Sequence, residues 1–147
     1  MKITCTVRSK FLLEGFGGWI TKKDKVLDIG CGNGEIAKIV SKKFHCKVEG
    51  TDIMNSLKVD IPFKMMERED KLPFNSKSFD IAMINDVLHH IPRDNQIKIL
   101  KEASRISKIV LIFETKPTFI AFVIDKVLNL AHNVNMPVPL THRNLKD

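Results

Sequence analysis

The sequence contains no tyrosine, a single tryptophan and only three cysteines. Cys5, Cys31 and Cys46 are odd in number and lack the paired spacing of a disulfide framework or a zinc site, so we expect a reducing compartment and no bound metal. The chain does not open with the charged start and long apolar core of a secretory signal. We therefore predict a cytoplasmic protein.

Acidic residues are fewer than basic ones, 17 against 24, which gives a formal net charge of +7. Such a charge could indicate a nucleic-acid or anionic-membrane partner. The lysines are nevertheless scattered along the chain, and aromatic residues do not alternate with them. A lysine-rich solvated surface is favoured over a nucleic-acid partner.

The length of 147 residues and an apolar content of 44% predict one domain with a real core, over residues 1–147. Residues 1–24 form an N-terminal helical segment in this interpretation. Its helix is expected over Lys10–Ile20, where apolar residues recur at helical spacing. The glycines at 15, 17 and 18 weaken that helix.

The most informative stretch of the sequence is Lys25–Ala37, which reads as a strand, a glycine-rich turn and a helix. The strand is apolar except for Asp28, as expected of a parallel strand covered on both faces. Gly30, Gly32 and Gly34 follow it and allow a ligand to approach the backbone closely. A helix is expected from Glu35 to Lys43, so the turn lies at a helix N-terminus, as in nucleotide-type sites.

The spacing of these glycines argues against a phosphate ligand. The dinucleotide fingerprint needs a glycine at the sixth place counted from Gly30, and Glu35 stands there. The lysine and hydroxyl pair of the phosphate-binding loop is also absent. Carboxylates on both sides of the turn, Asp28 and Glu35, suit a cationic ligand. S-adenosylmethionine fits, since it carries a sulfonium and an amino group and no phosphate.

Further strands and helices alternate along the rest of the chain. Asp52 follows the second strand, about twenty residues after the glycine turn, where an acid can accept both ribose hydroxyls. Ile53–Pro62 is too short for a full crossover helix. The remaining elements are expected at Cys46–Gly50, Phe63–Met66, Phe79–Asn85 and Ile109–Phe113 as strands, and at Pro92–Ser107 and Thr118–His132 as helices.

Five stretches in order resemble the class I S-adenosylmethionine-dependent methyltransferases, in particular their small-molecule (type 11) subgroup. They are Asp28–Gly34, Gly50–Asp52, Arg68–Phe74, Ser78–Asp80 and Asp86–Ile91. The resemblance implies an α/β fold, a Rossmann-like doubly wound sandwich with a mainly parallel sheet of about five strands in the order 3-2-1-4-5. The last two strands of the usual seven are expected to be missing.

The same resemblance implies the residues that hold S-adenosylmethionine and its product S-adenosylhomocysteine. Asp70 would accept a hydrogen bond from the adenine amino group, and Leu72 or Phe74 would pack near the ring. Phe11, Phe16 or Trp19 could fold over the cofactor, although an apolar helix face is more often core. The full set of expected cofactor-binding residues is Asp28, Gly30, Cys31, Gly32, Asn33, Gly34, Asp52, Ile53, Asp70, Lys71, Leu72, Asn85 and Asp86.

The expected reaction is direct in-line transfer of a methyl group to an unidentified small-molecule acceptor. Catalytic candidates are His89 and His90, as bases, and Glu114, which is either in the acceptor pocket or an exposed acid at a strand end. The segment Asn85–Leu88 lacks the Pro-Pro-aromatic pattern of base-amino methyltransferases. The alternatives are a cofactor-binding but inactive partner subunit, a nucleic-acid methyltransferase and a NAD-dependent oxidoreductase.

The end of the chain raises two further expectations. Residues 118–132 could bury against the sheet, or could contact a lipid surface or cover an apolar acceptor. The apolar fifth strand makes a poor exposed edge. We therefore expect either a truncated chain or an oligomer or partner that covers this strand.

Overall fold

The computed structural model describes residues 2–114, and their side chains from residue 9 onward. In chain order the elements are α1 (Lys2–Phe16), β1 (Lys25–Ile29), α2 (Glu35–Phe44), β2 (Lys47–Asp52), β3 (Phe63–Met65), β4 (Phe79–Asn85), a 3₁₀ turn (Leu88–His90), α3 (Arg93–Ile106) and β5 (Ser107–Phe113).

The described strands form one parallel sheet in the order β3-β2-β1-β4-β5. This confirms the predicted α/β fold and strand order. Ile29 at the end of β1 lies beside Thr51 of β2 and Ile84 of β4. The carboxyl ends of these three strands are therefore level, and the strand order reverses between β1 and β4. In open α/β sheets, ligands bind at this switch point.

Apolar layers cover both faces of the sheet. On one face, Val26 packs with residues of α1 and α2 such as Leu12 and Val40. On the other, Leu27 packs with residues of α3 such as Ile99 and Ile106. Successive residues of β1 point to opposite faces and both are fully buried, which explains the nearly continuous apolar sequence of this strand.

The prediction for the N-terminal helix was wrong at both ends. Helix α1 begins at Lys2 and ends at Phe16, one residue before Gly17. Beyond it, the amide nitrogens of Trp19 and Ile20 donate to the carbonyl oxygen of Phe16 at 2.9 and 3.2 Å. Trp19 therefore lies outside the helix with 57% of its surface exposed, whereas Phe16 is buried in the core. The glycine pair stops the helix because glycine favours turn conformations over helix.

Helix α3 runs directly into β5 through Ser107. The Ser107 hydroxyl donates to the carbonyl oxygen of Ala103 at 2.7 Å and lies 3.0 Å from that of Ile109. This contact stabilises the tight connection between the two elements. Within residues 2–114, β5 is an edge of the sheet, and Ile112 keeps 46% of its surface exposed.

The expectations for residues 118–132, and for what covers β5, lie outside the described residues. The single-domain assignment of residues 1–147 stays a prediction. Across the described part of the chain, no helix combines the length and the apolar character needed to cross a bilayer.

Candidate functional site

A cavity of about 210 Å³, open to solvent, lies at the carboxyl ends of β1, β2 and β4. Its position is the switch point of the sheet. The residues that line it are Ile29, Gly30, Gly32, Asp52, Ile53, Met54, Met66, Glu69, Asn85, Asp86, Val87, His90, Ile91 and Ile99.

The glycines of the turn have different surroundings, although all three have positive φ. A Cβ on Gly30 would lie 2.5 Å from a methyl carbon of Val87, and one on Gly34 would lie 2.8 Å from a methyl carbon of Leu57. A Cβ on Gly32 would meet no atom within 4 Å. Gly32 lines the cavity, so its missing side chain leaves room for a ligand at the backbone.

Asp52 connects β2 to the glycine turn at the cavity wall. Its carboxylate accepts hydrogen bonds from the amide nitrogens of Gly32 at 2.9 Å and Ile53 at 2.7 Å. Ile53 and Met54 follow it at the cavity with 38% and 41% of their surfaces exposed. An acid beside two accessible apolar side chains suits a nucleoside, because ribose offers hydroxyl donors and a base offers an apolar face. The ribose role of Asp52 stays a prediction.

Three residues of the turn that the sequence places at the cofactor lie outside the cavity lining. Cys31 is buried, and its sulfur would lie 2.7 Å from a Cβ on Gly50. Burial, followed by the charges of Asp28 and Asp52, raises the pKa of the Cys31 thiol to about 12. The side-chain oxygen of Asn33 accepts the Glu35 amide at 3.1 Å, at the start of α2.

The third of these residues is Gly34. It allows Leu57, Val59 and Ile61 to pack against the backbone. Cys31 and Gly34 are closely packed within the protein, and Asn33 is hydrogen-bonded at the start of α2. Their cofactor-binding roles stay predictions.

Asp28 is also absent from the cavity lining, because it is buried inside the sheet at 2% exposure. Its neighbours in register are Gly50 of β2 and Met83 of β4. Burial and, to a smaller extent, the charge of Asp52 raise the pKa of Asp28 to about 8. At neutral pH this carboxyl is therefore mostly protonated, and it adds little negative charge to the site.

The elevated pKa of Asp28 predicts a specific pH dependence of stability. A carboxyl with a higher pKa in the folded state than in the unfolded state binds protons more tightly when folded, from about pH 4 to about pH 8. The free energy of unfolding should fall as pH rises through this range. The substituted side chain in Asp28→Asn stays neutral. The free energy of unfolding of this variant should therefore rise relative to that of the wild type by up to about 1.4 kcal/mol per pH unit over this range.

Urea unfolding of both proteins at pH 5, 6, 7 and 8 measures this difference. Other titrating groups are common to the two proteins and cancel in the comparison. Parallel stability curves would show that Asp28 does not carry a raised pKa.

The predicted adenine contact of Asp70 is not supported by the geometry. Its carboxylate lies 2.9 Å from the guanidinium of Arg68 and 3.6 Å from the Lys98 ammonium. These partners lower the pKa of Asp70, with the Arg68 hydrogen bond as the main cause. Lys71 is exposed, and Leu72 is a core residue at 1% exposure. The acid of this segment that lines the cavity is Glu69.

Asn85 and Asp86, which are among the expected cofactor-binding residues, both line the cavity after β4. Asp86 has a positive φ of 52°, which is uncommon for a residue other than glycine. Its amide nitrogen donates to the carbonyl oxygen of Phe113 at 2.8 Å. A hydrogen bond to β5 thus holds the backbone of Asp86, while the residue lines the cavity. The functional roles of both residues stay predictions.

Of the three catalytic candidates, one lines the cavity and the other two are hydrogen-bonded to each other. His90 lines the cavity, whereas His89 and Glu114 do not. His89 is buried at 2% exposure, and its Nδ1 lies 2.7 Å from Oε2 of Glu114. The other oxygen of Glu114 accepts the amide hydrogens of Val87 and Leu88. Glu114 is therefore neither a cavity residue nor a simple exposed acid.

Asp86, His89 and Glu114 each place one possible ligand atom within 4.8 Å of the others. Within this group, both Glu114 oxygens already take part in hydrogen bonds inside the protein, one with the Val87 and Leu88 amides and one with His89.

The charge of the cavity is opposite to that of the whole chain. Its lining contains the carboxylates of Asp52, Glu69 and Asp86 and, within residues 9–114, no lysine or arginine. The formal charge of the sequence is +7. The cavity therefore favours a cationic ligand over a phosphate. The sequence argument reached this conclusion from Asp28 and Glu35, neither of which lines the cavity.

Sequence reasoning did not assign most of the apolar residues of the cavity. These are Ile29, Met54, Met66, Val87, Ile91 and Ile99. Apolar residues in strands and amphipathic helices read as core, and no local signal distinguishes those that face a cavity. Polar residues at strand ends carried the usable signal.

A methyltransferase domain model matches residues 7–147 of the sequence. The chain belongs to this family. The match covers most of the sequence, including the glycine turn and the segment after β4. The cavity of this methyltransferase domain is therefore lined by residues of the motifs that carry the family resemblance.

Curated relatives of this methyltransferase domain are longer proteins. It is 39% identical over 71 residues to the mitochondrial arginine-hydroxylase NDUFAF5 of Mus musculus, covering 44% of this chain and 21% of that protein. It is 30% identical over 95 residues to 27-O-demethylrifamycin SV methyltransferase of Amycolatopsis mediterranei, covering 56% of this chain and 34% of that one. The chain thus spans about a fifth to a third of these relatives.

Solved structures show the same fold. A SAM-dependent methyltransferase of Methanosarcina mazei matches with a TM-score of 0.60 and 24% identity, over 76% of this chain and 61% of that one. The geranyl diphosphate C-methyltransferase of Streptomyces coelicolor, solved with Mg²⁺, geranyl diphosphate and S-adenosylhomocysteine, matches with a TM-score of 0.56 and 16% identity, over 69% and 41% of the two chains.

Proposed function

We propose that this protein is an S-adenosylmethionine-dependent methyltransferase that acts on a small-molecule acceptor. The observation that carries the proposal is the cavity at the switch point, which combines an open Gly32, the Asp52 carboxylate and an anionic lining. Membership of the methyltransferase domain family supports it.

The residues of the cavity fit the chemical parts of S-adenosylmethionine. Gly32 lets the ligand approach the backbone, and Asp52 can accept hydrogen bonds from ribose hydroxyls. Ile53 and Met54 offer an apolar surface for the adenine ring. Glu69 lines the same cavity and can accept a hydrogen bond from an amino group. Its carboxylates favour the sulfonium and amino charges.

When bound, S-adenosylmethionine supplies a methyl group activated by the sulfonium. The protein's main task is to hold the acceptor in line with that methyl group, which can lower the barrier by as much as about 7 to 11 kcal/mol. Asn85, Asp86 and His90 line the wall after β4 and are the side chains available for the acceptor. Of the two histidines, His90 is the better candidate for a base, because Glu114 holds His89 in a buried position.

A small-molecule acceptor is consistent with what related proteins bind. Two structural neighbours were solved with geranyl diphosphate, one with S-adenosylhomocysteine and one with sinefungin. Another curated relative is a rifamycin methyltransferase. The NDUFAF5 relatives are hydroxylases, so methyl transfer itself has to be measured.

A second candidate is an S-adenosylmethionine-binding subunit that is inactive by itself. Product formation with candidate acceptors separates the two functions, since both predict cofactor binding and only the first predicts methylated product.

Isothermal titration calorimetry with S-adenosylhomocysteine and, separately, with NADH tests the cofactor. We expect S-adenosylhomocysteine to bind and NADH not to, because the anionic lining opposes a diphosphate. Binding of NADH without measurable binding of S-adenosylhomocysteine would refute the proposed function and favour an oxidoreductase.

A further inference from the structure

The segment that connects β4 to α3, residues 86–91, is held in shape by a side chain from the end of β5. We name it the β4–α3 loop. Oε1 of Glu114 accepts hydrogen bonds from the amide nitrogens of Val87 at 2.8 Å and Leu88 at 2.7 Å. Oε2 lies 2.7 Å from Nδ1 of His89, which must donate because an ionised carboxylate only accepts. One carboxylate thus satisfies three donors of the same loop.

The loop is also fixed from α3 and from the backbone of β5. Nε2 of Gln96, a residue at 3% exposure, donates to the carbonyl oxygens of Leu88 at 2.8 Å and Ile91 at 3.0 Å. The Asp86 amide donates to the Phe113 carbonyl. The positive φ of Asp86 costs free energy, and such a conformation persists only where surrounding contacts fix it. These hydrogen bonds are the contacts that do so.

The restrained loop is also part of the candidate site. Asp86, Val87, His90 and Ile91 line the cavity. The methyl groups of Val87 occupy the space beside Gly30 where a Cβ would be, so the loop packs directly on the glycine turn. Any shift of the loop therefore moves two walls of the cavity together.

We propose that Glu114 is a positioning residue, which holds the β4–α3 loop against the glycine turn so that Asp86 and His90 face the cavity. This inference deepens the proposed function and rests on it. Glu114 itself does not line the cavity, so it acts through the loop and not by contact with a ligand.

The test compares Glu114→Ala and Glu114→Gln with a matched control, Asp80→Asn. Glutamine keeps an oxygen that can accept the Val87 and Leu88 amides, whereas alanine removes every acceptor. Asp80 also accepts a backbone amide, that of Lys25 at 2.9 Å, and pairs with Lys108 at 2.7 Å. It lies at the start of β4, at the opposite edge of the sheet from the cavity.

Two measurements on the 147-residue chain are needed: amide hydrogen exchange of residues 86–91, and the Kd for S-adenosylhomocysteine by calorimetry. In Glu114→Ala we expect both the exchange rates of Val87 and Leu88 and the Kd to rise about tenfold. Glu114→Gln should stay within about threefold of the wild type in both. Asp80→Asn should lower the Tm while leaving the Kd and the loop amides unchanged.

Several outcomes would overturn the inference. One is unchanged exchange and affinity in Glu114→Ala, and another is an equal loss of affinity in Asp80→Asn, which would indicate general destabilisation. If the alanine variant does not fold, Glu114→Asp, whose shorter side chain retracts the carboxylate, should show the same increases, and wild-type values would overturn the inference. If the wild type does not bind S-adenosylhomocysteine, the proposed function fails, and the exchange rates alone decide whether Glu114 holds the loop.

Discussion

Replacing Asp52 by alanine is expected to weaken the binding of S-adenosylhomocysteine by roughly 2 to 4 kcal/mol, the equivalent of roughly 30-fold or more in Kd. The loss combines two effects. The ribose hydroxyls lose their charged acceptor, and the amides of Gly32 and Ile53 lose the carboxylate that holds the glycine turn to β2. Calorimetric titration of the variant measures the change.

Glu49→Ala is the matched control for this prediction. Glu49 lies on the same strand as Asp52, and its substitution also removes one carboxylate. Its partner, however, is Lys25 at 3.7 Å, and Glu49 does not line the cavity. Its affinity for S-adenosylhomocysteine should equal that of the wild type. Wild-type affinity in Asp52→Ala would refute the role assigned to Asp52.

Alanine at Gly30 should mainly lower stability, and alanine at Gly32 should mainly lower affinity for the ligand. Both residues have positive φ, so each substitution carries a backbone cost of about 1 to 2 kcal/mol. At Gly30 the new Cβ also collides with Val87, which adds about 1 to 3 kcal/mol of overpacking. We expect Gly30→Ala to lose about 2 to 5 kcal/mol of the free energy of unfolding.

Gly32→Ala should lower the free energy of unfolding only by the backbone cost of its positive φ, since its Cβ meets no protein atom within 4 Å. The Cβ instead enters the cavity, so this variant should fold and bind S-adenosylhomocysteine poorly. Urea unfolding and calorimetry on both variants measure the two effects. Equal stability of the two variants would show that Val87 does not pack on Gly30, and full affinity in Gly32→Ala would show that the ligand does not approach this backbone.

Local sequence signals located the elements of the fold well. The strand around Leu27, the glycines after it and the helix from Glu35 were predicted from apolar runs, backbone freedom and helical periodicity, and the structure has them at those places. The strand order followed from the family resemblance and is confirmed. Helix α1 was mispredicted, because apolar periodicity continued through Gly17 and Gly18, whose turn conformations ended the helix.

The site was predictable only in part, because a residue's place relative to a cavity depends on neighbours that are distant in sequence. Asp52 was expected from its place at a strand end, and Asn85 and Asp86 from the family resemblance. All three line the cavity, since polar residues at the ends of parallel strands meet at one edge of the sheet. Asp70 and Glu69 are adjacent in sequence, yet only Glu69 lines the cavity, whereas Asp70 pairs with Arg68 and Lys98.

The sequence by itself determined that this is a parallel α/β domain and predicted a ligand site at its first glycine turn, because strand periodicity, glycine spacing and strand-end acids are local properties. Tertiary structure alone decided the roles of Asp28 and Glu114. Asp28 is mostly protonated because the sheet buries it, and Glu114 holds a loop more than twenty residues earlier in the chain, at sequence separations of 25 to 27 residues. Burial and long-range hydrogen bonds are properties of the folded chain, and no short stretch of sequence contains them.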